Sequence, residues 1–512
     1  MPTNQLKKKF TENNIIGFFV ILSMLICAWI QYIQYGRINI DSVLYFESAK
    51  LIANGDFLGG MKIYNWPFYS SCIALTHNLT DLNIEHSAKL LNVIFFGITT
   101  ASYLKVITLA GGKNLEIIFG ALILLSTRHI VGEMLSMQMR DEGFWAFFLL
   151  SLVFFIKFFE YGRFIDSILW QTAIIIAMLF RVEALGYLLL LPMVIFFTSY
   201  PHQKWQGVLI NYTLPFILFV AYFTSIMLIQ STSILSVSRL QEIQPSIFLH
   251  DLTAQLQLKS QIFANDILGK YLGDYAIESL LTTFLLIIFI KSINTIGFVN
   301  LGLVAITIVN SKELIKRSVY KILIATCIIS VLNLMFIVTR SFVIVGRYTA
   351  AVTLILLILA SFSIRWIIES KNKYIIIRYL AFTFLTIFIT INIWKNVRYE
   401  LDSQYYLKDA ALWLKNKNTE QYPVLYDSIL TRYFSGEPYL VEYRLTNKIE
   451  LISEKINSNA FENYKYIILD FNNNSENIKK TEFMAKHLPY YKSIKRFNNT
   501  KDKHYAIVYK RN

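Results

Sequence analysis

Between residues 15 and 394 apolar runs, most of about 16–22 residues, succeed one another almost without pause. A helix of roughly 20 apolar residues crosses a bilayer core of about 30 Å, and backbone polar groups inside that core must be satisfied within the segment itself. The runs lie near 15–33, 88–109, 115–134, 142–159, 164–180, 184–199, 207–230, 276–310, 319–339, 343–363 and 374–394. Charge follows the same division. The stretch 395–512 holds 20 Lys/Arg and 14 Asp/Glu, about 29% of its residues, against about 12% for the first 394. A soluble chain averages about 25%, so the first part has lipid as its solvent and the second has water. This excludes a soluble enzyme, a disordered chain and a collagen-like chain. The net charge of +15 does not mark a nucleic-acid binder, because the basic residues are scattered between apolar runs. Basic loops at cytoplasmic helix ends account for it. Cys27, Cys72 and Cys327 are too far apart for a disulfide framework or a zinc spacing.

Lys7-Lys8-Lys9 before the first run place the N-terminus inside by the positive-inside rule. The basic clusters Lys312–Lys321 and Arg365–Arg378 belong on the same side. Both conditions hold only if 276–310, interrupted by Lys291 and Gly297, has the net effect of one crossing. The expected fold is therefore a mainly α polytopic helix bundle of about 11–13 spans, residues 1–394, with the tail outside. Loops 36–86 and 231–275 and the turn Arg140-Asp141-Glu142 share that outer face, while the loops on the inner face are short. Residues 395–512 read as a small soluble α/β domain, with strands at Val424–Tyr426, Tyr466–Phe471 and Ala506–Tyr509 and helices at Ala410–Leu414 and Asn477–His487.

Ionisable residues concentrate at the outer ends of the runs, where pulling a charge into lipid costs about 2–3 kcal/mol. Asp41, Asp141, Glu142, Arg181, Glu183, Arg340 and Arg347 all fall there. Each has a plain alternative. Asp41 reads as the N-cap of a helix, Asp141 and Glu142 as acids at a helix N-terminus, and Arg181 with Glu183 as an ion pair at a turn. The two later arginines read as snorkelling side chains, and Tyr64-Asn65-Trp66-Pro67 as an aromatic anchor. Together on one face, acids and arginines suit binding a phosphate and activating a hydroxyl.

Several segments in order carry a resemblance: Asp41 leading into Tyr45-Phe46-Glu47-Ser48-Ala49-Lys50-Leu51-Ile52-Ala53-Asn54-Gly55, then Tyr64-Asn65-Trp66-Pro67, Leu91-Asn92, the acidic start at Asp141, and Arg347-Tyr348 opening a late span. The chain resembles the GT-C glycosyltransferases, in the branch of the protein O-mannosyltransferases and the lipid A aminoarabinose transferase. The resemblance implies transfer of a sugar from a polyprenyl-phosphate donor to a glycan, lipid or protein acceptor. It implies Asp41 as the catalytic carboxylate, Asp141 as a second acid, and Arg347 with Tyr348 on the leaving lipid phosphate. Glu142, Arg181, Glu183 and Tyr64 complete the expected substrate-binding set, Arg181 on charge alone as a second phosphate partner. No cofactor is implied, a divalent metal is left open, and membrane lipids, not nucleic acid, are the expected surroundings. The chain departs from its relatives in carrying Asp41-Ser42 where many have two adjacent acids, and Asn65-Trp66-Pro67 where the aminoarabinose branch has Glu-Lys-Pro. A polysaccharide polymerase or ligase, supported by Arg239 in loop 231–275, and a lipid-linked-sugar flippase are the competing readings. A flippase places charges at mid-membrane, whereas the runs here are nearly charge-free at their centres.

Overall fold

The computed structural model describes residues 11–34, 37–198, 200, 203–218, 220, 245–369, 375–398, 405–438, 464–471, 482, 490–499 and 504–512. Arg239 and most of the expected helix 477–487 fall outside them. In chain order the helices are α1 (Glu12–Ile33), α2 (Ile40–Ala53), α3 (Phe57–Ile63), α4 (Phe68–Thr80), α5 (Ile84–Leu109), α6 (Asn114–Ser126), α7 (Asp141–Tyr161), α8 (Phe164–Phe180), α9 (Ala184–Leu190), α10 (Lys204–Ile210), α11 (Pro245–Phe263), α12 (Ala276–Ile296), α13 (Phe298–Val309), α14 (Arg317–Ser341), α15 (Ala350–Ser361), α16 (Ser363–Glu369), α17 (Ile375–Val397), α18 (Tyr405–Lys417) and α19 (Ile429–Ser435). The chain forms two compact units. One comprises Met1–Trp29, Lys89–Leu135 and Arg140–Val397; the other comprises Ile30–Ala88, Ser136–Met139 and Arg398–Asn512.

Among the described residues seven helices are long and apolar enough to cross a membrane: α1, α5, α7, Gly273–Ile296, α14, Gly346–Glu369 and Arg378–Val397. An eighth, α6 continued by the π-helical turn Arg128–Met134, is bent by 47°. Helix α8, the segment Ala184–Phe197 and α13 are apolar but shorter. The run 276–310 is two helices, broken at Gly297, whose φ of +82° is a left-handed conformation that a side chain would strain. Just before the break, Thr295 Oγ1 meets the hydroxyls of Thr349 (3.0 Å) and Thr353 (2.9 Å), at the start of α15. From that level α13 packs along α15. The 12 residues of α13 thus carry the chain toward the opposite end of the bundle.

That opposite end of the first unit is built from the basic loops. Arg365 pairs with Glu116 and donates from Nη2 to the Gly111 carbonyl (3.2 Å). Lys316 pairs with Glu160 (2.5 Å), and Arg163 with Asp166 (2.6 Å). These are the residues that the positive-inside rule assigns to the cytoplasm.

In the second unit α2 packs on α3 and α4. It also packs on α19 of the tail, where the Phe46 and Tyr433 rings lie 5.9 Å apart and Lys50 Nζ sits 5.5 Å from the Tyr433 ring centre. Tyr405 donates to the Ile33 carbonyl (3.2 Å). Loop 36–86 and the tail therefore share one core. The tail sheet contains β1 (Val424–Tyr426), β2 (Tyr466–Phe471), β3 (Tyr491–Asn498) and β4 (Tyr505–Arg511), in the order β1-β2-β4-β3. Strands β1 and β2 are parallel, with Leu425 opposite Ile467; the other pairings are antiparallel, with Ile468 opposite Val508. Leu425, Ile467, Leu469, Phe471 and Tyr491 form the core on one face, and α18 packs on β3 and β4.

Candidate active site

Helices α7 and α8 form an antiparallel hairpin, so the start of α7 meets the end of α8. The fit depends on Gly143: a Cβ there would come within 2.4 Å of the Phe180 ring. With Phe180 seated on the glycine, Arg181 leaves the helix in extended conformation (φ −143°, ψ 120°). Its side chain then reaches back to α7. Arg181 Nη1 donates to Asp141 Oδ1, while Nη2 and Nε donate to Glu183 Oε1 (2.6 Å) and Oε2 (3.3 Å). The planar guanidinium uses its fork on Glu183 and a further N–H on Asp141, which a lysine ammonium cannot reproduce.

This triad is desolvated. Arg181 is 3% exposed and Asp141 1%, while the Glu183 side chain keeps 21%. Burial alone would lower the guanidinium's pKa, but Glu183 and Asp141 outweigh it and hold Arg181 charged well above the ordinary range. Burial alone would likewise raise the Glu183 carboxyl. Arg181, with a smaller contribution from Arg140, instead holds it at about 2.

The other arginine arrives on a different element. Arg347 and Tyr348 lie on the short helical turn Gly346–Thr349 that leads into α15. The Arg181 guanidinium sits 4.6 Å from the Tyr348 ring centre and that of Arg347 5.5 Å, within cation–π range. Two guanidinium groups therefore share one ring. Arg181, Glu183, Arg347 and Tyr348 line a small, partly open cleft with Phe144, Tyr187, Ser330 and Asn333. Asn333 donates to the Glu183 carbonyl (3.0 Å). Ser330 donates to the Thr326 carbonyl (2.7 Å), so Tyr187 is the donor in its 2.6 Å contact with Ser330.

Asp141, Arg181, Glu183, Arg347 and Tyr348 are thus brought together; Glu142 is buried in the first turn of α7. Asp41 and Tyr64 belong to the other compact unit. The expectation that Asp41 caps its helix is corrected. Asn39 is the cap, accepting from the Asp41 amide (2.9 Å), and Asp41 is the second residue of α2. Ser42 fixes the same turn by donating to the Met137 carbonyl (2.5 Å). Tyr64 is buried with its ring 4.9 Å from Tyr45, which also meets Tyr69 at 5.3 Å. It therefore acts within an aromatic core. Sequence reading passed over Tyr187, Ser330 and Asn333. The signal was present in Asn333, an amide inside an otherwise apolar run, since polar groups there face protein and not lipid. Among the described residues no three His, Cys, Asp or Glu side chains gather as a metal site.

No protein-family model matches the chain, and no curated protein matches it in sequence. Solved structures do. ArnT from Cupriavidus metallidurans bound to undecaprenyl phosphate aligns with a TM-score of 0.53 over 96% of this chain and 97% of that one, at 12% identity. The same protein in its apo state aligns at 0.42 and 13% identity, over 97% and 98%. The chain has the ArnT fold. It is a multi-pass membrane protein: a helical bundle followed, among the described residues, by a four-stranded C-terminal sheet.

Proposed function

We propose that the protein is a glycosyltransferase that moves a sugar from a polyprenyl-phosphate carrier to a glycan, glycolipid or protein acceptor on the outer face of the membrane. The observation that supports it is the pair of guanidinium groups on the Tyr348 ring, at the bundle end opposite the basic loops. Arg181 is already neutralised by Asp141 and Glu183. Arg347 is the cation assigned to the donor phosphate, and Arg181 with Tyr348 defines where that phosphate stops. In this reading Asp41 accepts the proton of the acceptor hydroxyl as its oxygen bonds to the anomeric carbon. The bond from that carbon to the phosphate oxygen breaks, and its electron pair leaves as polyprenyl phosphate. Charge grows on the phosphate during this step, so a fixed guanidinium binds the transition state more tightly than the ground state. The resemblance implies Asp141 as a second acid that orients acceptor or sugar; in this reading it is instead a positioning residue, holding Arg181 in place.

A relative of this fold carries undecaprenyl phosphate, and a carrier of that kind explains why the site needs membrane spans at all. We place the protein in a bacterial inner membrane, with its N-terminus cytoplasmic and its tail outside. Deleting the gene and profiling surface glycans, glycolipids and glycoproteins by mass spectrometry tests the proposal. Loss of one sugar from one product, restored by the wild type and not by an equally expressed Asp41→Asn variant, is the expected result. An unchanged profile, or full restoration by Asp41→Asn, contradicts it.

A further inference from the structure

Away from the cleft, the tail domain gathers positive charge around an aromatic pair. Strand β3 is an edge of the sheet, and its Lys492, Lys495 and Arg496 are exposed. The last turn of α18 brings Lys415 and Lys417, also exposed. Neither β3 nor this turn contains an Asp or Glu. The two elements meet at Trp413 and Phe497, whose ring centres are 5.8 Å apart and edge to face. Lys417 Nζ lies 4.7 Å and Lys495 Nζ 5.1 Å from the Trp413 ring centre, and Lys495 lies 5.3 Å from that of Phe497. Two ammonium groups from different elements thus share one indole and sit within about 10 Å of each other, a Debye length at 0.1 M salt.

Plain structural roles explain parts of this. Lysines on an edge strand discourage pairing with another chain, and lysines in a last turn complement the helix dipole. Neither role requires an aromatic ring, and neither gathers like charges from a strand and a helix onto the same ring, which costs repulsion unless an anion arrives. We propose that Trp413, Phe497, Lys417 and Lys495 form a binding surface for an anionic glycan. The apolar face of a sugar ring lies against the indole, and its phosphate, sulfate or carboxylate groups take the two ammonium groups. A membrane-docking face would instead present protruding apolar side chains. Here Trp413 and Phe497 are half-buried, and their exposed neighbours are a single apolar side chain, Leu412, among the polar Lys415, Asn416, Lys417, Arg496 and Asn498. This inference stands apart from the sugar-transfer reading, and its test measures binding alone.

The full-length protein in phosphatidylcholine nanodiscs is titrated with a fluorescent heparin-derived hexasaccharide, followed by anisotropy. Maltohexaose, inorganic tetraphosphate and phosphatidylglycerol vesicles serve as comparison probes. The hexasaccharide should bind, more weakly as salt rises, and at least tenfold more tightly than maltohexaose or tetraphosphate. The exposed-site double variant Lys417→Gln/Lys495→Gln, melting as the wild type does, should lose about tenfold in hexasaccharide affinity. Trp413→Phe should weaken the hexasaccharide and leave tetraphosphate unchanged. Equal hexasaccharide binding by wild type and double variant overturns the proposal. Tetraphosphate bound as tightly as the sugar, marking a simple anion patch, overturns it too. So does vesicle binding that the double variant abolishes while the hexasaccharide does not bind, which would mark a membrane contact.

Discussion

Replacing Arg181 by Met removes the cation bonded to Asp141, a carboxylate 1% exposed, while keeping the length of the side chain. Breaking a buried pair from one side leaves an uncompensated charge and costs about 3–5 kcal/mol. At about 2 °C per kcal/mol for a large domain, the melting midpoint in detergent should fall by roughly 6–10 °C. Arg181→Lys keeps the charge but cannot reach both Glu183 oxygens and Asp141 together. Losing one charge-assisted hydrogen bond costs about 1.5–3 kcal/mol, so its midpoint should lie between the other two. Adding Asp141→Asn to Arg181→Met removes the stranded charge and should recover a substantial part of the loss, whereas Asp141→Asn in the wild type should destabilise. Fluorescence-detected size exclusion after a heat step reads the four variants and the wild type. If Arg181→Met melts no lower than Arg181→Lys, or if Asp141→Asn worsens it further, the triad is not a buried, mutually dependent unit and the reasoning fails.

Other outcomes follow from the same geometry. Arg347→Ala should raise the apparent KM for the lipid donor more than for the acceptor, and an unchanged donor KM would remove that residue from the phosphate. Gly143→Ala forces its Cβ against the Phe180 ring and should cost about 1–3 kcal/mol by overpacking; Phe180→Leu in that background should restore part of it, as thermal melting would show. The Glu183 carboxyl is held at about 2 against an ordinary 4.5, so its contribution to stability is complete above pH 4.5 and declines as pH falls toward 2. Glu183→Gln should flatten the melting curve across that acid window and leave its slope between pH 6 and 8 unchanged.

Much of the architecture is legible in the sequence because lipid imposes one rule on every segment. Each apolar run corresponds to helix over most of its described residues, and the doubtful stretch 276–310 breaks at the glycine that interrupted its pattern. The strands Val424–Tyr426 and Tyr466–Phe471 match their apolar runs. Strand β3 does not announce itself, because an edge strand reading Tyr-Lys-Ser-Ile-Lys-Arg-Phe-Asn has no continuous apolar face. Charge at helix ends singled out Arg181, Glu183 and Arg347, which the structure brings together, but did not show how they pair. That Asp141 would serve Arg181, 40 residues away, depends on a glycine–phenylalanine contact between two helices. No local pattern encodes such a contact. The helix cap was misread for a similar reason: Asn39 and Asp41 are both good caps by type, and only the backbone of Asn39 has the extended form a cap requires.

The most direct test of the central claim asks at which end of the bundle a polyprenyl phosphate headgroup rests. A polyprenyl phosphate carrying a diazirine beside its phosphate, crosslinked to the protein in proteoliposomes and mapped by peptide mass spectrometry, answers it. Label within residues 330–351, competed away by unlabelled lipid and lost in Arg347→Ala, is the predicted result. Competable label confined instead to residues 311–321 and 363–369, at the basic end, would contradict it.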